Sequence, residues 1–500
     1  MKAATRSWAN GRVAVTNRIH PTALPRHGAA HGGVVTSLLG AGARLVDVAG
    51  DRSLTGAELL AEVARVGEEI AALPEGAVFS RTAVDLDSVL RYLGAFESGR
   101  AVALLDPVLD GAALGRYVSR FRPAAVLSAP DDPPPRGYTA RDGHWVRDAR
   151  DGVVPHPDLA VLLSTSGTTG EPKFVRLSRS ALLANAEAIA ATLGIECTDV
   201  APTSLPLHYS FGLSVLNSHL VRGATVVIEP SGVFRKSFWD AVSEHRVTSL
   251  AGVPYHYERL RRMDFDPAPY PSLRTLTQAG GKLRTELVTH FHDAVRAVEG
   301  RFFVMYGQTE ASPRMSTVPP ELLAEKLGSA GQALNGGSFS IRRDDGEETT
   351  HPKIVGEVVY RGPNVMMGYA GTEAELAHGD ENGGVLATGD LGYLDEDRFL
   401  FITGRLKRIG KVFGNRVNLD DLEQAVRGTG AGIEVVAAVA ADDKVVLFAE
   451  GAANGTCRDV SRALADLMHL HASGFDVRPI DRMPVLASGK IDYAVLETGL

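Results

Sequence analysis

A five-residue apolar run, Leu159–Leu163, ends abruptly in Ser164-Thr165-Ser166-Gly167-Thr168-Thr169-Gly170, two glycines and five hydroxyls in seven positions. An unbroken apolar run of that length reads as a strand buried on both faces, which requires helices packed against its sheet. The chain before it repeats the same alternation. Helical spacing over 55–73 is followed by a strand over 77–84, a helix over 89–98, a strand over 101–105, a helix over 110–121 and a strand over 124–128. Repeated helix–strand units predict an α/β fold with helices on the faces of a sheet. The intervening 129–157, rich in Pro, Gly and charge, reads as a surface connection.

The loop itself is suited to anions. Glycines let successive backbone N–H groups point inward together, the hydroxyls add donors, and Lys173 supplies positive charge at the rim. It is not a GxxxxGK[ST] loop, because Pro172 stands where that pattern needs glycine and Phe174 where it needs a hydroxyl.

Composition narrows the remaining classes. Five hundred residues suggest more than one domain. A net charge of −8 provides no footprint for nucleic acid or anionic lipid. Two cysteines, Cys197 and Cys457, without a CxxC, point to a reducing compartment and no zinc site. No run approaches the roughly 18 apolar residues of a membrane span. The expected location is cytoplasmic, and the acid-free first 46 residues read as a loose start to the first domain.

Three further motifs carry chemistry. An apolar strand over 302–305 delivers Tyr306-Gly307-Gln308-Thr309-Glu310 to its carboxyl end, where ligands of α/β sheets bind. Thr388-Gly389-Asp390 opens a hairpin pattern that runs to Thr403-Gly404-Arg405. Near the C-terminus, 484–490 places Lys490 in a glycine turn, PVLASGK.

Together, in this order and covering about residues 50–497, these motifs resemble the adenylate-forming superfamily of acyl-CoA synthetases, luciferases and peptide-synthetase adenylation domains. The resemblance implies a large N-terminal domain of packed mixed sheets with flanking helices, over 1–404, and a small mobile α+β lid, over 405–500, turning on Lys407. It implies ATP and Mg²⁺ as cofactors. Ser164, Thr165, Ser166, Gly167, Thr168, Thr169, Gly170 and Lys173 would cradle phosphates. Tyr306 would stack on adenine beside Gly307 and Gln308, and Thr309 would bind the α-phosphate. Glu310 would hold the metal, a hard cation wanting carboxylate oxygen. Asp390 would accept the ribose hydroxyls, with Arg405 beside it, and Lys490 would be the catalytic lysine. The segment 356–369 would be a strand pair turning on Gly362-Pro363. Gly410 and Asn418 depart from the family pattern, which usually has an aliphatic residue and a proline there.

The expected reaction is ATP-dependent activation of a carboxylic acid as acyl-adenylate, followed by transfer to a thiol of coenzyme A or of a carrier protein. The alternatives are another acceptor chemistry, such as nitrite-dependent diazotisation of an aryl amine, and a nucleotide-binding scaffold without turnover. By the same resemblance His208, Tyr209, Ser210, Tyr255, Gly280, Gly281 and Lys282 would line the acid pocket. Either His208 or Tyr209 would be its aromatic gate. No aspartate lies between Leu205 and His219 to pair an α-ammonium, which argues against an amino acid. The polar, aromatic wall favours an aryl or short functionalised acid.

Overall fold

The computed structural model describes residues 36–164, 172–406, 408–413, 415–433, 435–486 and 489–500. Ser37–Leu500 forms one compact unit. Its principal sheet has eight strands, and the apolar run Leu159–Ser164 is the last strand of the parallel part, where the sheet turns antiparallel. Val102–Leu105 pairs with it in parallel, and Val78–Arg81 and Ala125–Leu127 extend that order. Asp85, Asp110 and Ser178 accept the free N–H groups at the starts of helices Leu86–Glu97, Gly111–Phe121 and Arg179–Leu193.

On the other side of Leu159–Ser164 the strand Phe174–Ser178 turns back antiparallel, and Gly368–Ala370 adds to it. That addition is fixed by Arg176, whose wholly buried guanidinium donates to the carbonyls of Tyr369, His378, Gly379 and Met367 and to Glu381. The strand pair expected over 356–369 therefore does not form. Gly356–Arg361 joins a separate antiparallel sheet, while Gly368–Ala370 is drawn to Phe174–Ser178.

The connection over 129–157 is also more ordered than its composition suggests. Tyr138–Arg141 and His144–Arg147 form a hairpin through Asp142 and Gly143, both at positive φ, and finish one edge of the principal sheet. A second sheet runs Ser249–Gly252, Thr275–Gln278, Arg301–Gly307 in parallel, then Arg314–Val318 antiparallel. In the third, Val385–Leu394 and Leu400–Arg405 form the hairpin anticipated from the sequence, with Asp390 directly across from Arg405.

The C-terminal segment has its own interior. Val412, Leu422, Val436, Leu447, Val460 and Phe475 pack in a cluster drawn only from 412–475, around the sheet Val436–Ala441, Lys444–Glu450, Phe475–Ile480. Gly410 lies against it, where a Cβ would come 3.1 Å from both Leu419 Cδ2 and Val445 Cγ2. Asn418 caps the following helix, its Oδ1 accepting Asp420 N at 2.9 Å. The two departures from the family pattern thus have local structural uses. No helix among the described residues is long and apolar enough to cross a membrane.

Candidate active site

The strand Arg301–Gly307 ends at Tyr306, whose hydroxyl donates to Asp390 Oδ2 at 2.5 Å. Asp390 is almost wholly buried, and its other oxygen takes Arg405 Nε at 2.9 Å from the neighbouring strand. Burial, and then the Asp390 carboxylate, push the Tyr306 phenol well above its ordinary range, so it stays a donor. The next residues are pinned by the turn they enter. Gln308 Nε2 donates to Thr388 O at 3.3 Å, and Thr309 Oγ1 lies 3.1 Å from Ser210 Oγ at the start of helix Ser210–Leu220.

Glu310 Oε1 accepts the Tyr369 hydroxyl at 2.8 Å, and the Lys173 ammonium sits 3.3 Å from the centre of the Tyr369 ring. Tyr369 therefore links the far end of the hydroxyl-rich loop to Glu310. Its place follows from Arg176, which holds the strand Gly368–Ala370. Thr165–Gly170 and the expected hinge Lys407 lie outside the described residues; Ser164 closes its strand, exposed at the sheet's end.

Lys490 approaches from the C-terminal segment. Its turn closes through Leu486 N to Lys490 O at 2.8 Å and lies on Val253, which a Cβ at Gly489 would meet at 2.9 Å. The ammonium stands 5.2 Å from the centre of the Tyr209 ring. Lys490 keeps contact with solvent at the mouth, but dense packing around its ammonium, and secondarily Arg405, lower its pKa to about 8 against the opposing pull of Glu310 and Asp390. Tyr209 Oη covers Gly280: a Cβ there would fall 2.4 Å from that oxygen and 3.6 Å from Lys490 Cε. Gly280, at φ +84°, is thus required both by conformation and by space.

The other residues expected in the acid pocket divide. His208 Nε2 lies 3.5 Å from Asp106 Oδ2, while its buried Nδ1 has no partner. Burial lowers the His208 pKa, with Asp106 offsetting part of the shift. Tyr255 packs edge-on against Phe234, and Gly281 lies against Pro254. Lys282 is exposed, and its charge tempers the burial-raised pKa of Asp421 in the C-terminal segment. One cavity is lined by residues that sequence reasoning did not single out, among them Phe211 and Ser214 on the helix after Tyr209, Thr277, Met305 and Arg314. For Ser214 a sequence signal existed in the i, i+4 spacing of Ser210, Ser214 and Ser218 along one helix.

The arrangement collects three cations, Lys173, Arg405 and Lys490, with Glu310 and Asp390, around the ends of two sheets. Among the described residues no three His, Cys, Asp or Glu side chains cluster as a preformed metal cage.

The chain is similar to known proteins in both sequence and fold. The sequence model of the AMP-binding enzyme family matches residues 40–370. A feruloyl-CoA synthase from an Amycolatopsis species is 30% identical over 387 residues, 74% of this chain and 72% of that protein. A 2-succinylbenzoate–CoA ligase from Bacillus pumilus is 34% identical over 247 residues, 49% of each chain. The matched part spans about half the length of that ligase and of the Arabidopsis thaliana oxalate–CoA ligase, 49% and 54% respectively. Among solved structures, the o-succinylbenzoate CoA synthetase of Bacillus subtilis with its acyl-adenylate intermediate superposes with a TM-score of 0.71 at 25% identity, covering 89% of this chain and 93% of that one. ATP-bound MatB from Rhodopseudomonas palustris shares the fold, with a TM-score of 0.72 at 22% identity, over 91% and 95% of the two chains.

Proposed function

The chain belongs to the AMP-binding enzyme family, and from that premise we propose that it is an AMP-forming acid–thiol ligase with coenzyme A as the acceptor. The observation that carries this reading is the meeting of Lys173, Glu310, Asp390 and Lys490, from four separate chain segments, around one mouth.

In the first half-reaction a carboxylate oxygen attacks the α-phosphorus of ATP. The acyl–phosphate bond forms as the α,β-phosphoanhydride bond breaks, and pyrophosphate leaves. The 164–173 loop and Lys173 hold the phosphates, Asp390 accepts the ribose hydroxyls, and Arg405 holds that carboxylate in place. Thr309, fixed against Ser210, donates to the α-phosphate. Lys490 neutralises the charge that gathers as two anions are brought together, an effect strongest where the donor is already in place. Glu310 suits Mg²⁺, because one of its oxygens is oriented by Tyr369 and the other has no hydrogen-bond partner among the described residues. A single carboxylate plus substrate phosphates is the usual magnesium environment. When bound, the ion offsets phosphate charge.

In the second half-reaction a thiol sulfur attacks the acyl carbon, the thioester bond forms, AMP departs, and the thiol proton passes to solvent. We assign residues 405–500 as the lid that turns about Lys407 between the two steps. Its separate core supports this assignment, as does the placing of Lys490 on a turn that touches the remainder chiefly through Val253 and Tyr209. An aryl or short functionalised acid fits the aromatic wall of Tyr209, Phe211 and Tyr255.

The test is pyrophosphate release from ATP over a panel of aryl, short-chain and fatty acids, with and without coenzyme A. Acid-dependent release without thiol, and thioester formation with it, are expected. A protein that binds ATP yet releases no pyrophosphate with any acid would overturn the reading.

A further inference from the structure

Three arginines of the described residues have less than a twentieth of their surface exposed: Arg147, Arg176 and Arg314. Two are fully matched. Arg176 donates to four carbonyls and Glu381, and Arg147 to the carbonyls of Ala149, Arg122 and Glu75, with Glu373 close by. Arg314 has none of this. Its buried Nε lacks an acceptor, and no carboxylate lies within ion-pair distance among the described residues. Its one close contact is the Phe211 ring, 4.4 Å below the guanidinium. Tyr209 is the titratable group that acts on it, but burial raises that phenol to about 12, so it is no counter-ion.

Arg314 lines a cavity together with Phe211, Ser214, Thr277 and Met305; Asp199 and Arg301 also border it, Asp199 being engaged by Thr248 and Arg274. Lys490 stays at the mouth. The Arg314 backbone is clamped for the purpose: Asn185 donates to its carbonyl at 2.7 Å and accepts its N–H at 3.1 Å, and Asn364 donates to the same carbonyl at 2.9 Å. A buried guanidinium is costly unless an anion pairs it, and its planar fork fits a carboxylate in bidentate geometry. A contact with one ring face satisfies no N–H donor, and Nε is left buried without an acceptor. The hydroxyl-bearing wall also tolerates a charged guest better than an aliphatic one would.

We propose that Arg314 is a specificity-determining residue that pairs a second carboxylate on the substrate, so that the preferred acid is a dicarboxylic acid activated at one end and held by Arg314 at the other. This rests on the acid-activating function proposed above and adds the chemical class of its substrate.

The discriminating comparison needs no variant. The wild-type protein is assayed for pyrophosphate release with α,ω-dicarboxylates from malonate to suberate and with terephthalate, each against its monomethyl ester, which keeps the size and removes one charge. At least one diacid is expected to exceed its ester in kcat/KM by about a hundredfold, the effect of leaving one member of a buried charge pair alone. In Arg314→Met that ratio falls to within about tenfold, while Arg314→Lys retains part of it. Esters that turn over as well as their diacids in the wild type would overturn the proposal, as would a ratio unchanged in Arg314→Met. Should Arg314→Met fail to fold, the wild-type ratio and Arg314→Lys decide. If no acid releases pyrophosphate, the ligase reading fails, and titration calorimetry of the same diacids and esters then tests Arg314 alone. Diacids that bind no tighter than their esters would refute the assignment.

Discussion

Gly280 shows how narrowly a single position is determined. Its φ of +84° disfavours any side chain, and the Tyr209 hydroxyl occupies the space where a Cβ would go. Gly280→Ala should therefore displace Tyr209 toward the Lys490 ammonium and lower kcat/KM by at least about tenfold, since small misplacements at a reacting centre are expensive. The circular dichroism spectrum should not change. Adding Tyr209→Phe removes the clashing oxygen and should recover part of the loss; a double variant no better than the single one would mean that backbone strain, not the hydroxyl, is responsible. Lys490 carries a second prediction. Replacing it with alanine removes one charged donor from the transition state and should slow acid-dependent pyrophosphate release by roughly 10²–10³ while ATP still binds. Its pKa is lowered to about 8, so the ammonium is present below that pH and lost above it. The profile of kcat/KM, which reports the free enzyme, should accordingly fall through about pH 8. With ATP and acid bound, their negative charge favours the ammonium, and the same limb in kcat should move upward. Superimposable limbs in the wild type and Lys490→Arg would assign the titration elsewhere.

At the scale of elements, the site depends on clamps that bind one strand or turn to the next. Asn185, buried in helix Arg179–Leu193, holds both backbone groups of Arg314 at the start of its strand. Asn185→Ala leaves a buried N–H without its partner and weakens the hold on the carbonyl, a cost of about 1–3 kcal/mol. The urea midpoint should fall without a change in m-value, and an unaltered midpoint would show that water replaces the amide. Such clamps also explain what the sequence concealed. The Tyr306–Glu310 turn and the Asp390–Arg405 hairpin were legible because each is local: an apolar strand stops, and polar residues of fixed spacing follow. The hairpin over 138–147 had an equally local signal in Asp142-Gly143, but the prolines and charges around it outweighed that signal when averaged. The pairing of Gly368–Ala370 with Phe174–Ser178 had no local signal. It is decided by the Arg176 donors, nearly two hundred residues away along the chain. Arg314 was hidden for a related reason. In Arg314–Val318 an arginine beginning a strand reads as a solvated edge charge, and only the packing of helices Arg179–Leu193 and Ser210–Leu220 over it makes the position interior.

Across the whole molecule, burial has a consequence for acid stability that can be worked out in sign. His208, His219, His256, His290 and His292 all have pKa values lowered, in each case chiefly by burial, and His256 reaches about 4. An unfolded chain takes up protons on these rings near pH 6.5, whereas the folded chain resists until lower pH. Between those limits the unfolded state binds more protons, so stability decreases as pH falls. For His256, with a window from about 6.5 to about 4, the integrated loss is about 3 kcal/mol, reached as pH falls to 4. The other four add to it in the same direction. Glu348 acts lower on the scale, because Arg361 and Ser340 hold its carboxyl down to about 2 and the stability it contributes, present above its unfolded pKa, is lost only as pH falls toward that value. Urea unfolding at fixed ionic strength should therefore show a steep decline from pH 6.5 to 4, and His256→Phe, which keeps a ring against Phe234 but cannot take a proton, should flatten it. A slope that is the same in His256→Phe would shift the acid sensitivity to the remaining four histidines. The site shares this sensitivity, because His256 lies in the first turn of helix Pro254–Arg262, whose Pro254 supports Gly281 and whose Tyr255 faces the Lys490 turn. Protonating His256 loosens the floor on which Gly280 and Lys490 rest, so in wild type acid should reduce pyrophosphate release before it reduces far-ultraviolet ellipticity, and in His256→Phe the two should fall together.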